Sequence, residues 1–388
     1  MRTEGDFIKI HEWLTPLSWL YGVGVGFRNL LFRLGVLKSR AFDIPVISVG
    51  NITVGGSGKT PHVEYLVSLL LDKMKVAVLS RGYKRKSKGY VLANNESTMS
   101  QIGDEPYQMK QKFPALYVAV DKKRTRGIDR LTSDEQTKDV DVILLDDAYQ
   151  HRYVKPGVNI LLVDYHRLII YDKLLPAGCL REPQEGKSRA DIVIITKCPK
   201  DLRPMEYRVL MKALDLYPYQ SLYFTTLVYD DLKPVYGKGS IALNSLPKAC
   251  NVLLLTGIAS PKQMQTDLSV YNYNLHQLAF PDHHNFSKKD VRTINGKFAE
   301  LPSPKLIITT EKDVSRIKFI EGFEQEVKDN MYALPVRIQF MLEQEENFNN
   351  KIINYVRKNS RDSILAKAKN DNKPEDGNHI GNRPRAIG

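Results

Sequence analysis

The sequence predicts an α/β protein built on a mostly parallel sheet flanked by helices, with a second, smaller α/β domain and an N-terminal helix. Three observations predict it. Apolar runs of strand length recur at residues 45–49, 76–80, 116–120, 140–145, 160–164 and 191–196, with helix-length segments between them. Strands apolar on both faces belong to a parallel sheet covered on both sides, where ligands sit at the carboxyl ends of the strands. The first run opens into a glycine-rich loop followed by a helical pattern over 62–71. A second alternation starts at Asn251-Val-Leu-Leu-Leu-Thr-Gly-Ile and continues through 305–309 and 332–340.

These shifts divide the chain into an N-terminal helix (1–40), a P-loop domain (41–220), linker strands (221–236), a smaller C-terminal α/β domain (237–360) and a tail (361–388). The tail is rich in Asn, Lys, Gly and Pro with few large apolar residues, a composition that predicts disorder. With 388 residues the chain can bury a large core, and 42% apolar with 26% charged residues is ordinary for a globular protein. The net charge of +13 favours an anionic partner: nucleic acid, an acidic membrane surface or a phosphorylated substrate. Cys179, Cys198 and Cys250 show no CxxC or metal-ligand spacing and read as reduced structural thiols.

The glycine-rich loop is Gly50-Asn-Ile-Thr-Val-Gly-Gly-Ser-Gly-Lys-Thr-Pro61. Strand, Gly-rich loop, Gly58-Lys59-Thr60 and helix together make the context of a nucleotide-binding P-loop, and the fold is of the P-loop NTPase type. Thr53, Val54, Gly55, Gly56, Ser57, Gly58, Lys59 and Thr60 would surround a polyphosphate with backbone N–H groups and the helix N-terminus. Lys59 would reach the β- and γ-phosphates and Thr60 would hold Mg²⁺, so ATP and Mg²⁺ are the expected ligands. Thr53 stands where the motif usually has its first glycine.

Further along, Val142-Ile-Leu-Leu-Asp-Asp147 is an apolar strand ending in two acids, which beside a P-loop are the expected Mg²⁺ partners. Read alone, Asp-Asp is an ordinary turn signal. Gln150, His151 and Arg152 follow at the same rim. Gly103-Asp-Glu-Pro106 reads as an acidic turn, and Asp282-His-His284 as a carboxylate beside two imidazoles suited to acid–base chemistry. Basic clusters at 81–88 and 122–126 follow strands and should face an anionic substrate, although charge runs are often just solvated. The segment 175–183 is too Pro-rich for a helix and reads as a pocket-shaping loop. After the strand at 191–196, Pro199 occupies the position of the Asp that reads guanine in GTPases, which favours ATP.

Residues 17–27 carry no charge, too short a run to cross a bilayer, which takes about 20 apolar residues. Trp13, Trp19, Tyr21 and Phe27, followed by Arg28, Arg33, Lys38 and Arg40, suit a helix lying in a membrane interface. Packing on the protein's own core is the alternative.

These motifs, in this order, resemble the tetraacyldisaccharide 4′-kinase family. The segments that carry the likeness are the P-loop, Ser80-Arg-Gly-Tyr83, Gly103-Asp-Glu-Pro106, Asp146-Asp-Ala-Tyr-Gln-His151, Pro176-Ala-Gly-Cys-Leu-Arg-Glu-Pro183, Phe280-Pro-Asp-His-His284 and Thr310-Glu-Lys-Asp313, which span most of residues 1–320. The family tolerates a non-glycine at Thr53; Lys84 and Ala148-Tyr149 differ from its commoner residues. The resemblance implies ATP-dependent phosphorylation of a tetraacylated glucosamine disaccharide 1-phosphate in lipid A biosynthesis. It implies Asp104 as base, assisted by His283 and Asp282, with Lys59 at the phosphates. Thr60, Glu105, Asp146 and Asp147 would serve Mg²⁺, and Asn51, Arg81, Tyr83, Gln150, His151 and Arg181 the acceptor. It implies membrane attachment through the N-terminal helix at the cytoplasmic face of a Gram-negative inner membrane, with no nucleic acid and no obligate protein partner. The rival readings are a P-loop switch protein that hydrolyses nucleotide without a lipid substrate, and a soluble P-loop kinase of a small metabolite.

Overall fold

The structure, a computed structural model, describes residues 10–258, 261–271 and 273–360. The expected disorder of 361–388 and the first residues of the 1–40 unit lie outside the described residues. The strands in chain order begin with β1 Val46–Gly50, β2 Val76–Ser80, β3 Val91–Leu92, β4 Tyr117–Val120 and β5 Val142–Asp146. They continue with β6 Val158–Asp164, β7 Ile192–Thr196, β8 Ser221–Tyr229, β9 Lys233–Pro234 and β10 Asn251–Thr256. The last four are β11 Asn274–Ala279, β12 Lys305–Thr310, β13 Met331–Leu334 and β14 Val336–Phe340.

Two sheets result, a nine-stranded one in the order β14-β8-β7-β6-β1-β5-β2-β4-β3 and a five-stranded one in the order β11-β10-β12-β13-β9. Both are parallel except at their edges, where β14 runs antiparallel to β8, β3 to β4 and β9 to β13. The strands β1, β2, β5, β6 and β7 are buried along their whole length, as their continuous apolar sequences require. The helix Lys59–Leu71 covers one face through Val63, Leu66, Val67 and Leu70. Tyr207, Leu210 and Leu214 of the helix Pro204–Leu214 help cover the other.

Two segments are placed differently from the sequence reading. The expected linker strand Ser221–Tyr229 is a full member of the large sheet, parallel to β7. The apolar run 332–340 is split by Pro335. Its first half pairs with β12 in the small sheet, and its second half returns to β8 in the large one. Proline has no N–H to continue a ladder, so the run breaks there and the strand can change sheets. The Pro335 carbonyl accepts from Asp230 N–H at 3.1 Å, so the two chain crossings between lobes touch. The helix Glu345–Asn359 then packs Phe348, Ile352 and Val356 into the core of the large lobe, not the small one.

One face of the helix Thr15–Arg33 docks on the large lobe and the other is open. Ser18 Oγ donates to Leu174 O and accepts from Ala177 N, both at 2.9 Å. Tyr21 donates to Arg181 O at 2.9 Å, Arg28 to Gln150 O at 3.1 Å, and Phe32 is buried against Tyr153. The positions 18, 21, 28 and 32 share one helical face. On the opposite face Trp19, Leu20, Val23 and Phe27 are 76%, 71%, 71% and 62% exposed. Among the described residues no helix is long and apolar enough to cross a membrane.

Phe348→Ala should lower the stability of the large lobe by about 3–4 kcal/mol, because it empties a fully enclosed ring site between Tyr65, Tyr223 and Phe340. Denaturant titration read by circular dichroism and through bound nucleotide analogue would check it. Loss of small-lobe structure alone would contradict the placement of this helix.

Candidate functional site

A cleft of about 1000 Å³ lies between the lobes at the carboxyl ends of the large sheet's strands. Its floor is the glycine-rich loop after β1. Gly55 and Gly58 have φ of +111° and +78°, conformations that favour glycine, and Gly58 starts the helix Lys59–Leu71. The loop is braced from outside. Val54 N–H donates to Cys179 O at 2.7 Å, Thr196 Oγ1 donates to Ser57 O at 3.0 Å, and Lys197 Nζ bonds both Gly56 O and, at 2.6 Å, Asp164 Oδ2. Buried His62 contacts Gly58 O at 2.7 Å and Thr225 Oγ1 at 3.0 Å, and burial pushes its ring down to about 4, so it stays neutral. Lys59 Nζ stands 3.5 Å from both Asn51 Oδ1 and Asp147 Oδ1.

The two acids arrive from the neighbouring strand. Parallel β1 and β5 pair Val49 with Asp146, so the loop and the carboxylates leave the sheet side by side. Burial, and then the nearby charges of Asp147 and Glu105, push Asp146 up to about 6 although Ser80 Oγ donates to it at 3.1 Å. Burial raises Asp147 as well, but Lys59, Arg181 and Arg124 outweigh it and leave that carboxyl below its ordinary value. Asp147 adopts φ +47°, and its buried Oδ1 has no hydrogen-bond partner. Among the described residues no three His, Cys, Asp or Glu converge to hold a metal alone. Mg²⁺ needs no such cage, because it is held by one or two carboxylates with phosphate oxygens and water. Asp147 Oδ1, which has no hydrogen bond, and the desolvated Asp146 carboxyl fit such an ion, with Thr60 and Glu105 lining the same cleft.

The opposite wall comes from both lobes. Gly103, at φ +93°, turns the chain into the helix Asp104–Lys112, so the acidic segment is the first turn of a helix, where acids are favoured. From the small lobe, His283 places Nδ1 at 3.1 Å from Asp104 Oδ2 and Nε2 at 3.3 Å from Lys312 Nζ. Arg316 Nη2 lies 3.2 Å from Nδ1, so each ring nitrogen has a donor-only neighbour, and it is the Asp104 carboxylate that assigns the proton to Nδ1. Its neighbour His284 is tied to Asp290 at 3.1 Å in the cap of the next helix, which sets the two imidazoles apart. Burial pushes Asp104 up, but the bonds from His283 and the Arg316 guanidinium outweigh it and hold the carboxyl at about 2.

Of the acceptor residues expected from sequence, Arg81, Tyr83, Gln150 and Arg181 line the cleft, with Asp282 and Glu105 opposite. Asn51 is buried beside Lys59, and Thr53 is buried against Leu180. His151 sits behind the rim. Its Nε2 is buried without a partner, and burial followed by the charges of Arg124, Arg28 and Arg81 drives its ring down to about 4. Within the basic clusters Arg81 lines the cleft, as the sequence reading expects, whereas Arg85, Arg124 and Arg126 are turned to structural tasks. Arg124 is buried, bonding Asp121 O and Asp146 O, Arg126 pairs with Asp121, and Arg85 bonds Val120 O and Gly89 O. Short loops leave carbonyls to satisfy at strand ends, and arginine's five donors suit that task.

Sequence reasoning missed Lys197, His62, Lys312 and Arg316. Lys312 lies inside the Thr310-Glu-Lys-Asp313 motif, and Arg316 one turn further on the same helix.

The chain matches the family described as tetraacyldisaccharide-1-P 4′-kinase over residues 10–357. It is 57% identical to the tetraacyldisaccharide 4′-kinase of Phocaeicola vulgatus over 362 residues, covering 93% of this chain and 99% of the relative. With the enzyme of the same name from Bacteroides thetaiotaomicron it shares 50% over 376 residues, covering 95% and 99%. It superposes on the Aquifex aeolicus LpxK crystal structure in complex with ATP with a TM-score of 0.68 and 28% identity, over 89% of this chain and 99% of that one. The glycine-rich loop, paired acids and two-lobed cleft thus lie in a chain matched nearly end to end, and the protein belongs to the tetraacyldisaccharide 4′-kinase family.

Proposed function

We infer that this chain transfers the γ-phosphoryl group of ATP to the 4′-hydroxyl of a tetraacylated glucosamine disaccharide 1-phosphate, the step that gives lipid IVA in lipid A biosynthesis. One observation carries the reading. The phosphate loop, the acids Asp146 and Asp147, and His283, which is bonded to Asp104 behind it, all line one cleft built from both lobes.

In this reading the backbone N–H groups of residues 55–59 and Lys59 hold the triphosphate, and most of the acceleration comes from neutralising charge on the transferring group. Thr60, Asp146 and Asp147, with Glu105, would hold Mg²⁺, which would offset the negative charge of the phosphates. Arg81, Tyr83 and Arg181 orient the sugar, and Gln150, Asn51 and His151 support that rim. His283 Nε2 faces the cleft, whereas Asp104 lies behind the ring with its carboxyl held at about 2. A carboxylate so acidic is a weak base, so the pair divides its work: Nε2 takes the 4′-hydroxyl proton, and Asp104 fixes the ring and stabilises the imidazolium. The hydroxyl oxygen then bonds to the γ-phosphorus as ADP leaves. Asp282 lies 3.8 Å from Nε2 and offsets the positive charge that appears there.

The open apolar face of the helix Thr15–Arg33, flanked by Arg33, Lys38 and Arg40, fits an interfacial helix on an anionic membrane. That surface supplies the glycolipid, and ATP places the chain at the cytoplasmic face of the inner membrane. The switch-protein alternative gives no task to His283, Lys312 or this apolar face.

Lys59→Ala should abolish transfer of ³²P from γ-labelled ATP to detergent-solubilised acceptor, with a loss of at least ~10³-fold. Wild-type hydrolysis of nucleotide with no labelled lipid would favour the switch protein.

Asp146→Asn should likewise abolish transfer, yet stabilise the nucleotide-free protein by about 2 kcal/mol at pH 7.5. A folded-state value near 6, above the unfolded one, means that ionising Asp146 costs stability as pH rises. The penalty is complete above about 6 and absent near pH 4, so the gain from Asn should vanish there. Thermal melts at the two pH values check this.

Trp19→Glu with Phe27→Glu should abolish co-sedimentation with phosphatidylglycerol vesicles while leaving nucleotide affinity within ~2-fold, since both side chains point away from the lobe. Undiminished co-sedimentation would remove the helix from the membrane role.

A further inference from the structure

The helix Glu311–Ile317 of the small lobe faces the helix Asp104–Lys112 of the large one across three ion pairs. Glu311 meets Lys112 at 3.0 Å, Lys312 meets Glu105 at 3.0 Å, and Arg316 meets Asp104 at 2.5 Å. The third pair differs in kind from the others. Arg316 aims Nε at 3.0 Å and Nη2 at 2.5 Å onto the same oxygen, Oδ2, that accepts from His283 Nδ1. Its remaining nitrogen, Nη1, bonds Asp313 Oδ1 at 3.2 Å and Gly257 O at 3.3 Å. Asp313 is itself fully enclosed, accepting from Gly257 N–H at 2.9 Å and Thr310 Oγ1 at 2.8 Å.

The guanidinium is therefore bolted to the small lobe at one end and grips a large-lobe carboxylate at the other. A planar fork with fixed donor directions does this; an ammonium offers charge without the geometry. The grip also selects the oxygen. With Oδ2 drawn toward Arg316 and His283 together, the carboxylate cannot rotate without breaking three contacts, and the imidazole is held with Nε2 toward the cleft.

We propose that Arg316 is a positioning residue of the phosphoryl-transfer site: reaching across from the small lobe, it fixes the Asp104 carboxylate and, through that carboxylate and its own 3.2 Å approach to Nδ1, the His283 ring. It touches neither nucleotide nor acceptor. A helix that had only to hold the lobes together has Glu311–Lys112 and Lys312–Glu105 for that purpose, and neither bonds the oxygen that receives the imidazole proton. The proposal rests on the reading of Asp104 and His283 given above.

The test is a double-mutant cycle on initial rates with ATP and detergent-solubilised acceptor. Arg316→Gln should lower kcat by ~10²-fold with KM for ATP within ~2-fold. Arg316→Lys should restore kcat to within ~10-fold of wild type, and added guanidinium ion should restore part of the Gln variant's rate. In an Asp104→Asn background, Arg316→Gln should cost no more than ~10-fold, because the carboxylate part of its route is gone and only the direct approach to Nδ1 remains. A loss of ~10² in that background, or a rise in KM with kcat intact, would overturn the proposal. If Arg316→Gln fails to fold with Asp313 left uncompensated, Arg316→Gln with Asp313→Asn removes the buried charge and serves in its place. An acceptor-free readout separates this proposal from the assigned reaction. In ¹H–¹⁵N spectra the His283 ring signals should be single in wild type and broadened or split in Arg316→Gln. Unchanged ring signals overturn the positioning role even if the kinase assignment stands, whereas absence of lipid phosphorylation by wild type overturns the assignment alone.

Discussion

The site depends first on the parallel pairing of β1 with β5. That ladder sets Val49 beside Asp146, so a strand leading into the phosphate loop and a strand ending in two acids terminate together. Strand side chains alternate with period two, and a slip of one residue would turn Asp146 into the opposite face. The register is held by burial on both sides: Ile47 with its partner Leu144, and Val49 and Leu145 beside them, are almost wholly enclosed, so a slip would put carboxylates into the core. Burial holds Asp146 well above its ordinary value, so the fold carries an unfavourable charge that the proposed Mg²⁺ would offset.

The second requirement is two-lobed. His283 is on the small lobe and Asp104 on the large, so the proton-handling pair exists only while the lobes are docked. The chain crosses between them at Asp230 and Pro335, which are hydrogen-bonded to each other. Such a narrow, paired connection lets the small lobe be positioned by its contacts at the cleft, and the helix Glu311–Ile317 supplies those contacts as ion pairs that are half-buried or better. Buried ion pairs add little net stability because desolvation offsets attraction, but they penalise misalignment strongly, which suits an interface whose task is registration.

Much of this was legible in the sequence because it is local. Strand, Gly-rich loop and helix are consecutive, and the residues 145–151 and 280–284 carry their chemistry in short runs. The large parallel sheet followed from uninterrupted apolar strands. What was illegible is what the chain assembles from afar. The run 332–340 reads as one strand, and only Pro335 hints that its halves serve different sheets. The basic clusters read as substrate-facing because sequence shows charge but not direction, while Arg85, Arg124 and Arg126 turn back to carbonyls and to Asp121. Arg316 looked like one basic residue among 57, and its partner is 212 residues away.

The open face of the N-terminal helix and the cleft are two sides of one device. Tyr21 and Arg28 on its docked side line the cleft that also holds Lys59, while Trp19 and Phe27 on its other side look outward. The docked side is polar, fixed by hydrogen bonds to the 174–181 loop and to Gln150. An amphipathic helix in water turns its apolar side inward; this one does the reverse, and the polar docking face keeps it from doing otherwise. A glycolipid acceptor has the same split character, with acyl chains that belong in a bilayer and a sugar that must reach the phosphate loop. On the proposed membrane docking, a helix apolar outward and polar toward the site would let both ends of that molecule keep a suitable surrounding during phosphorylation, without extraction of the acyl chains into water.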